Sequence, residues 1–299
     1  MTHTPATQPR LGRLVTAMVT GFGEDGSLDL AAVRRLATDL VDDQGNDGLV
    51  VNGTTGESPT TTEDEKFEVV AAALEAVGDR AQVIAGVGSF DTAHTVRMAR
   101  RAADTGAHAL LVVAPYYSRP VQAGILAHFR AVADATDLPM MVYDIPHRTG
   151  VAIAPETLVT LAEHPNIVAV KDAKGDLVSS SQVIAETGLD YYAGDDAITL
   201  PLMSVGGVGV VGTSTHFTGR GMRDLIDAVL ANDWTHALEV HRRWLPAFTS
   251  VFGAPGCCTV KAGLRAEGRG VGSVRLPMVE AEQDVVERFL TALRQAERG

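Results

Sequence analysis

Eight short apolar runs, each followed by a stretch with helical period, predict an α/β protein folded as a (β/α)8 TIM barrel with a C-terminal helical extension. Three observations carry this: the count of eight at near-even spacing, runs that are continuous rather than alternating, and a final segment that is helical throughout. Leu110-Leu111-Val112-Val113 and Met140-Met141-Val142-Tyr143 suit strands buried on both faces, as in a parallel sheet covered by helices. A doubly wound open sheet is the competing architecture, and the eight-fold count favours closure.

In chain order, the strands are expected at 14–19, 48–52, 82–87, 109–114, 140–144, 167–171, 191–193 and 208–211. Between the first two, Val33, Leu36, Ala37, Leu40 and Val41 share one helical face. Phe67, Val70, Ala71 and Leu74 do the same before the third. Later helices fall at 92–104, 122–135, 155–163, 177–186 and 220–231. After Asn232 the helices are 234–252, a stretch near 259–267, and 284–297 with Val285, Phe289, Leu290 and Leu293 on one face. The expected division is a barrel over residues 11–231 carrying the chemistry and a helical extension over 232–299.

The chain of 299 residues is 45% hydrophobic and 21% charged, the profile of a soluble globular protein. Its 25 Lys and Arg against 37 Asp and Glu give a net charge of −12 with no basic stripe, which argues against nucleic acid or an anionic membrane as partner. Residues 1–10 are polar, with two prolines, and lack the apolar core of a secretory signal. No apolar run approaches the ~18 residues of a membrane span. Cys257 and Cys258 are adjacent, a poor arrangement for an unstrained disulfide or a zinc site, and this fits a reducing cytoplasm. The nine histidines include no His-x-x-x-His pair, so no metal site is expected.

Barrel enzymes build their sites where the strands end. Six of the eight strand ends here carry polar or glycine-rich signatures: Gly53-Thr54-Thr55-Gly56-Glu57-Ser58, Pro115-Tyr116-Tyr117, Tyr143-Asp144-Ile145-Pro146-His147-Arg148-Thr149-Gly150, Lys171, Gly194-Asp195-Asp196 and Gly212-Thr213-Ser214-Thr215. Lys171 closes the run Ile167-Val168-Ala169-Val170. An ordinary lysine is almost wholly protonated at neutral pH, whereas one held in a partly apolar pocket falls toward ~7–8 and can attack a carbonyl. The commoner fate of a strand-end lysine is to snorkel to solvent.

The loop from Gly53 to Gly56 offers backbone N–H groups and the Thr54 and Thr55 hydroxyls to a carboxylate, with a tight turn before a helix as its plain alternative. Tyr143 ends the strand beside that of Lys171, where a phenol can relay protons with a threonine hydroxyl, or simply fill space. Arg148 in Pro146-His147-Arg148-Thr149-Gly150 can clamp a carboxylate, though arginines at surfaces are usually just solvated. Tyr116 and Tyr117 suggest a pocket wall or a subunit contact. Lys174, three residues past the strand in a glycine-bounded loop, is expected to be exposed.

Together these segments resemble the pyruvate-dependent class I aldolase family that includes N-acetylneuraminate lyase and dihydrodipicolinate synthase, over nearly the whole chain from Leu14 to about Met278. The arginine of the Pro146–Gly150 turn and the Arg275-Leu276-Pro277-Met278 stretch look most like the dihydrodipicolinate synthase branch. The resemblance implies that Lys171 forms an imine with pyruvate and that Tyr143, Thr54 and Tyr117 relay protons, Tyr117 reaching in from a neighbouring subunit of a homotetramer. It implies that Thr55 and the Thr54 backbone hold the pyruvate carboxylate, and that Arg148 binds that of L-aspartate-4-semialdehyde. Gly194 and Val211 are expected to line the pocket, and no metal or organic cofactor is implied.

Where the family's eighth strand often reads Gly-Val-Ile-Ser-Val, this chain has Gly209-Val210-Val211-Gly212-Thr213, which is expected to loosen that wall. Lysine-sensitive relatives carry His, Asn and Glu groups where this chain has Glu63, Lys66, Phe90 and His94, so inhibition by L-lysine is expected to be weak or absent. The alternatives are a pyruvate-dependent lyase or aldolase acting on a sugar acid or other aldehyde, and a non-catalytic ligand-binding barrel.

Overall fold

The computed structural model describes residues 8–298, so most of the N-terminal stretch read above for a secretory signal lies outside the described residues. Eight parallel strands close into one barrel in chain order: β1 (Leu14–Ala17), β2 (Gly48–Val51), β3 (Gln82–Gly86), β4 (Ala109–Val113), β5 (Met140–Asp144), β6 (Ile167–Asp172), β7 (Asp190–Ala193) and β8 (Gly209–Gly212). β8 pairs back onto β1 through Val15 and Val211. Each strand lies within two residues of its expected bounds.

The continuous apolar runs arise because both faces are buried. Val15, Val50, Ile84, Leu111, Met141, Ala169, Tyr192 and Val211 point inward and fill the barrel. Their neighbours Leu14, Leu49, Val83, Leu110, Val142, Val170, Tyr191 and Val210 point outward into a second apolar layer against the helices.

That outer layer is built from α1 (Leu30–Thr38), α2 (Glu63–Val77), α3 (Thr92–Thr105), α4 (Gln122–Ala133), the short turn α5 (Pro146–Thr149), α6 (Pro155–Leu161), α7 (Leu177–Glu186), α8 (Thr199–Ser204) and α9 (Thr215–Leu230). Their starts are set locally. Asp29, Asp91 and Asp176 accept first-turn N–H groups of α1, α3 and α7, and Thr62 with Glu65 forms a capping box on α2, each cap contributing ~1 kcal/mol.

α9 begins at Thr215 rather than at 220. Gly219, just before the expected start, and Gly221 both sit inside the helix, where a Cβ on Gly219 would meet the Gln44 carbonyl at 2.4 Å and one on Gly221 the Trp244 indole at 2.4 Å. Close approach outweighs the ~1 kcal/mol helix cost of glycine. The six-residue α8, which contains Pro201, carries too little period to be read from sequence.

Three further helices follow: α10 (Trp234–Ser250), α11 (Gly256–Ala266) and α12 (Gln283–Arg298). They share one core with the barrel helices, where Phe217 of α9 meets Phe289 of α12 edge-on with ring centres 5.2 Å apart. Among the described residues no helix is long and apolar enough to cross a membrane.

Candidate active site

A cavity of about 790 Å³ opens at the C-terminal ends of the strands. Its barrel wall comes from Thr54 and Thr55 after β2, Tyr143, Ile145 and Arg148 at β5, Lys171 and Ala173 at β6, Gly194 and Asp195 after β7, and Thr213 after β8. The helical extension closes the opposite side with Thr249, Phe252, Pro255, Cys257 and Met278.

Lys171 is the buried amine at the floor, 5% exposed, rather than a snorkelling surface lysine. Strand alternation aims it inward, and registry sets it beside Tyr143 on β5 and Tyr192 on β7. Burial pulls its pKa from 10.5 down to about 8, with Asp196 opposing and Arg148 assisting the fall. At pH 7 that leaves roughly a tenth of the amine neutral, against less than a thousandth for a free lysine. The amine lies 4.3 Å from the centre of the Tyr143 ring.

Tyr143 is itself buried, and burial raises its phenol to about 12, moderated by Arg148 and by a hydrogen bond with the Thr54 side chain. It therefore stays protonated at neutral pH and can give or pass a proton through Thr54. The Thr55 hydroxyl lies 3.5 Å from that of Thr213. Arg148 stands on the cavity rim, with its guanidinium making no hydrogen bond or ion pair to another described residue. Gly194 is glycine for a reason: a Cβ there would meet Ala173 Cβ at 2.9 Å and the Asp172 carbonyl at 3.0 Å.

Two expected wall positions differ. Val211 is fully buried in the barrel interior beneath the cavity, and Thr213, two residues further along the same inward face, takes the wall position. Gly212 does not loosen this wall. A Cβ there would meet Asp196 Oδ1 at 2.6 Å, and that carboxylate fills the space while accepting from Thr213 N, Ser214 N and Ser214 Oγ at 2.9, 3.0 and 2.7 Å.

Lys174 is not exposed as expected. Its amine donates to Ser179 Oγ at 3.0 Å and lies 3.7 Å from the buried Asp144 carboxylate, whose pKa burial raises to about 6. Tyr117 is outside the cavity of its own chain, 92% exposed with φ 72°, while Tyr116 packs edge-on against Phe90.

Sequence reasoning gave no role to Asp196, although it lies in a noted signature and is the acidic group that opposes the fall of the Lys171 pKa. It missed His216, which donates from Nδ1 to the Thr213 carbonyl at 2.8 Å and accepts the Val19 N–H at Nε2. It also missed the buried pair of Glu57 with Lys261, 2.6 Å apart. Among the described residues no group of three His, Cys, Asp or Glu side chains gathers as metal ligands would.

With this geometry in place, comparison with known proteins is specific. The sequence pattern of the Dihydrodipicolinate synthetase family matches residues 10–296. The chain is 58% identical over 285 residues to the 4-hydroxy-tetrahydrodipicolinate synthase of Cutibacterium acnes, covering 95% of this chain and 97% of that one. It is 60% identical over 278 residues to the enzyme of the same name from Acidothermus cellulolyticus, covering 93% and 90%. Among solved structures, the dihydrodipicolinate synthase of Cyanidioschyzon merolae with lysine bound superposes with a TM-score of 0.95 at 38% identity, covering 97% of this chain and 99% of that one.

Proposed function

The chain belongs to the dihydrodipicolinate synthetase family, and we propose how its site performs the reaction of a 4-hydroxy-tetrahydrodipicolinate synthase. That activity is of lyase type and serves diaminopimelate and lysine biosynthesis. The observation that carries the mechanism is Lys171: a buried amine, lowered to about 8, facing a phenol inside a cavity sized for small acids.

The neutral Lys171 amine attacks the keto carbon of pyruvate, and the carbinolamine loses water to give a protonated imine. Thr55 and the Thr54 backbone hold the pyruvate carboxylate, and Tyr143 with Thr54 moves the protons of addition and dehydration. Loss of a methyl proton yields the enamine, whose carbon bonds to the aldehyde carbon of L-aspartate-4-semialdehyde. The second substrate's amine then adds to the imine carbon, expels Lys171 and closes the ring. Arg148, on the rim with its donors free of other described residues, binds the aldehyde substrate's carboxylate. Gly194 keeps the wall thin, and Tyr117 completes the relay from a neighbouring subunit of a homotetramer. The barrel over 11–231 is the catalytic unit and the helices over 232–299 its support. The two free, buried cysteines suit a reducing cytoplasm.

Borohydride trapping tests the central step. Pyruvate with borohydride leaves a stable adduct on Lys171, and wild-type protein without that adduct would remove the imine mechanism. Arg148→Ala is expected to retain trapping with pyruvate while its KM for the aldehyde rises ~100-fold, the loss of a charged bidentate contact. An unchanged aldehyde KM in a coupled assay would sink the role of Arg148.

A further inference from the structure

The loop carrying Thr54 and Thr55 is held from outside the barrel. Asn52 and Glu57, at its two ends, both lie in the left-handed region at φ 58° and 56°. Asparagine adopts that conformation readily, whereas a glutamate keeps it only where its surroundings impose it. Asn52 is fixed by its amide, which donates to the Lys66 carbonyl at 2.9 Å. Glu57 is fixed by the helical extension. One carboxylate oxygen lies 2.6 Å from the Lys261 ammonium on α11, and the other accepts the Arg275 backbone N–H at 2.8 Å.

Glu57 and Lys261 are both buried, at 3% and 0% exposure. The ammonium donates to the Ser273 carbonyl at 2.8 Å and sits 4.1 Å from the centre of the Phe22 ring, which the Arg275 guanidinium also faces at 4.1 Å. The Arg275 side chain in turn donates to the Gly26 and Thr60 carbonyls and pairs with Glu65. The barrel loops after β1 and β2 are thus stitched to one segment of the extension.

A buried ion pair is a weak source of stability, because desolvating both charges consumes most of what their attraction returns. Lys261 has no exposed surface with which to touch a substrate. It does have leverage over the loop: Glu57 is two residues from Thr55, and its N–H donates to the Thr54 carbonyl at 3.1 Å.

We propose that Glu57 and Lys261 are positioning residues for the carboxylate-binding loop, their ion pair carrying the rigidity of the helical extension to Thr54 and Thr55 and holding them against Tyr143 and Lys171. This rests on the reading of Lys171 as the imine-forming amine with that loop as its pyruvate clamp. Without the pair, Glu57 is released from its left-handed conformation and the loop loses its register with Lys171.

Glu57→Gln, Lys261→Met, their double variant and Lys261→Arg test it, through steady-state kinetics in both substrates and borohydride trapping at limiting pyruvate. Glu57→Gln and Lys261→Met raise the pyruvate KM and slow trapping by roughly tenfold or more, as a displaced clamp does, and leave the aldehyde KM within about twofold. Lys261→Arg restores most of the pyruvate KM. The double variant is less impaired than Lys261→Met, since a lone buried carboxylate is worse than no charge at all. Glu57→Gln preserves shape and the contact with Arg275, so it decides the matter if Lys261→Met does not fold. Folded variants with wild-type pyruvate KM and trapping overturn the proposal, as does an equal rise in both KM values. Absence of trapping in the wild type is a separate outcome that fails the Lys171 reading itself.

Discussion

The fold holds Lys171 at a cost. Its pKa falls from 10.5 to about 8 on folding, which amounts to roughly 3 kcal/mol of penalty for burying the charged form. Between those two values the unfolded chain binds more protons than the native one, so this penalty is full below pH 8 and disappears as the pH rises toward 10.5. Lys171→Met is therefore expected to raise the melting temperature at pH 7, with the gain shrinking at pH values above 8. A variant less stable than wild type at pH 7 by calorimetry would contradict the sign. In the wild type, the rate of trapping with pyruvate is expected to climb about tenfold per pH unit below 8 and to level off above it. A flat profile from pH 6 to 9 would mean that another group sets the rate.

At the scale of elements, the strands were legible because burial on both faces writes an unbroken apolar run, and the strand-end rule then pointed at Lys171, Tyr143, Thr54, Thr55 and Arg148. Thr213 was seen only as part of a signature, without a place on the wall, because the register that puts Val211 below the cavity and Thr213 on its wall depends on where β8 enters the barrel. Lys261 was invisible for a different reason: a lysine on an amphipathic helix normally reaches solvent, and only the fold reveals that Glu57 waits for it. The first turn of α9 was missed because sequence does not show the Gln44 carbonyl that demands a glycine at 219 inside a helix. Between α2 and α3 lies a further cavity of about 250 Å³, lined by Lys66, Phe90, Asp91, His94 and Tyr116. Lys66 donates to the Thr61 carbonyl at 2.5 Å, and His94 lies 3.4 Å from Glu63. Lysine-sensitive relatives carry His, Asn and Glu groups where this chain has Lys66, Phe90 and His94, so L-lysine is expected to inhibit weakly or not at all. Half-inhibition at sub-millimolar L-lysine in the coupled assay would overturn this.

At the scale of the whole molecule, the proposed relay needs a second chain. Tyr117 is held at φ 72° and stands 92% exposed, with Phe90 and Val121 also exposed on that side of the barrel. In the homotetramer proposed above, a second copy of the chain presenting the same patch across a two-fold axis covers this solvent-facing tyrosine. On the proposed arrangement each site takes Lys171 from one chain and Tyr117 from its neighbour. Complementation follows from that sharing. Tyr117→Phe and Lys171→Ala chains, each strongly impaired alone, are expected to regain activity when dissociated, mixed in equal amounts and reassociated. Random pairing makes half the dimers mixed, and one of the two sites in each mixed dimer then has both residues, so recovery approaches about a quarter of the wild-type rate. Recovery no greater than the sum of the two variants alone, in a mixture shown by mass spectrometry to contain mixed oligomers, would place Tyr117 outside the relay.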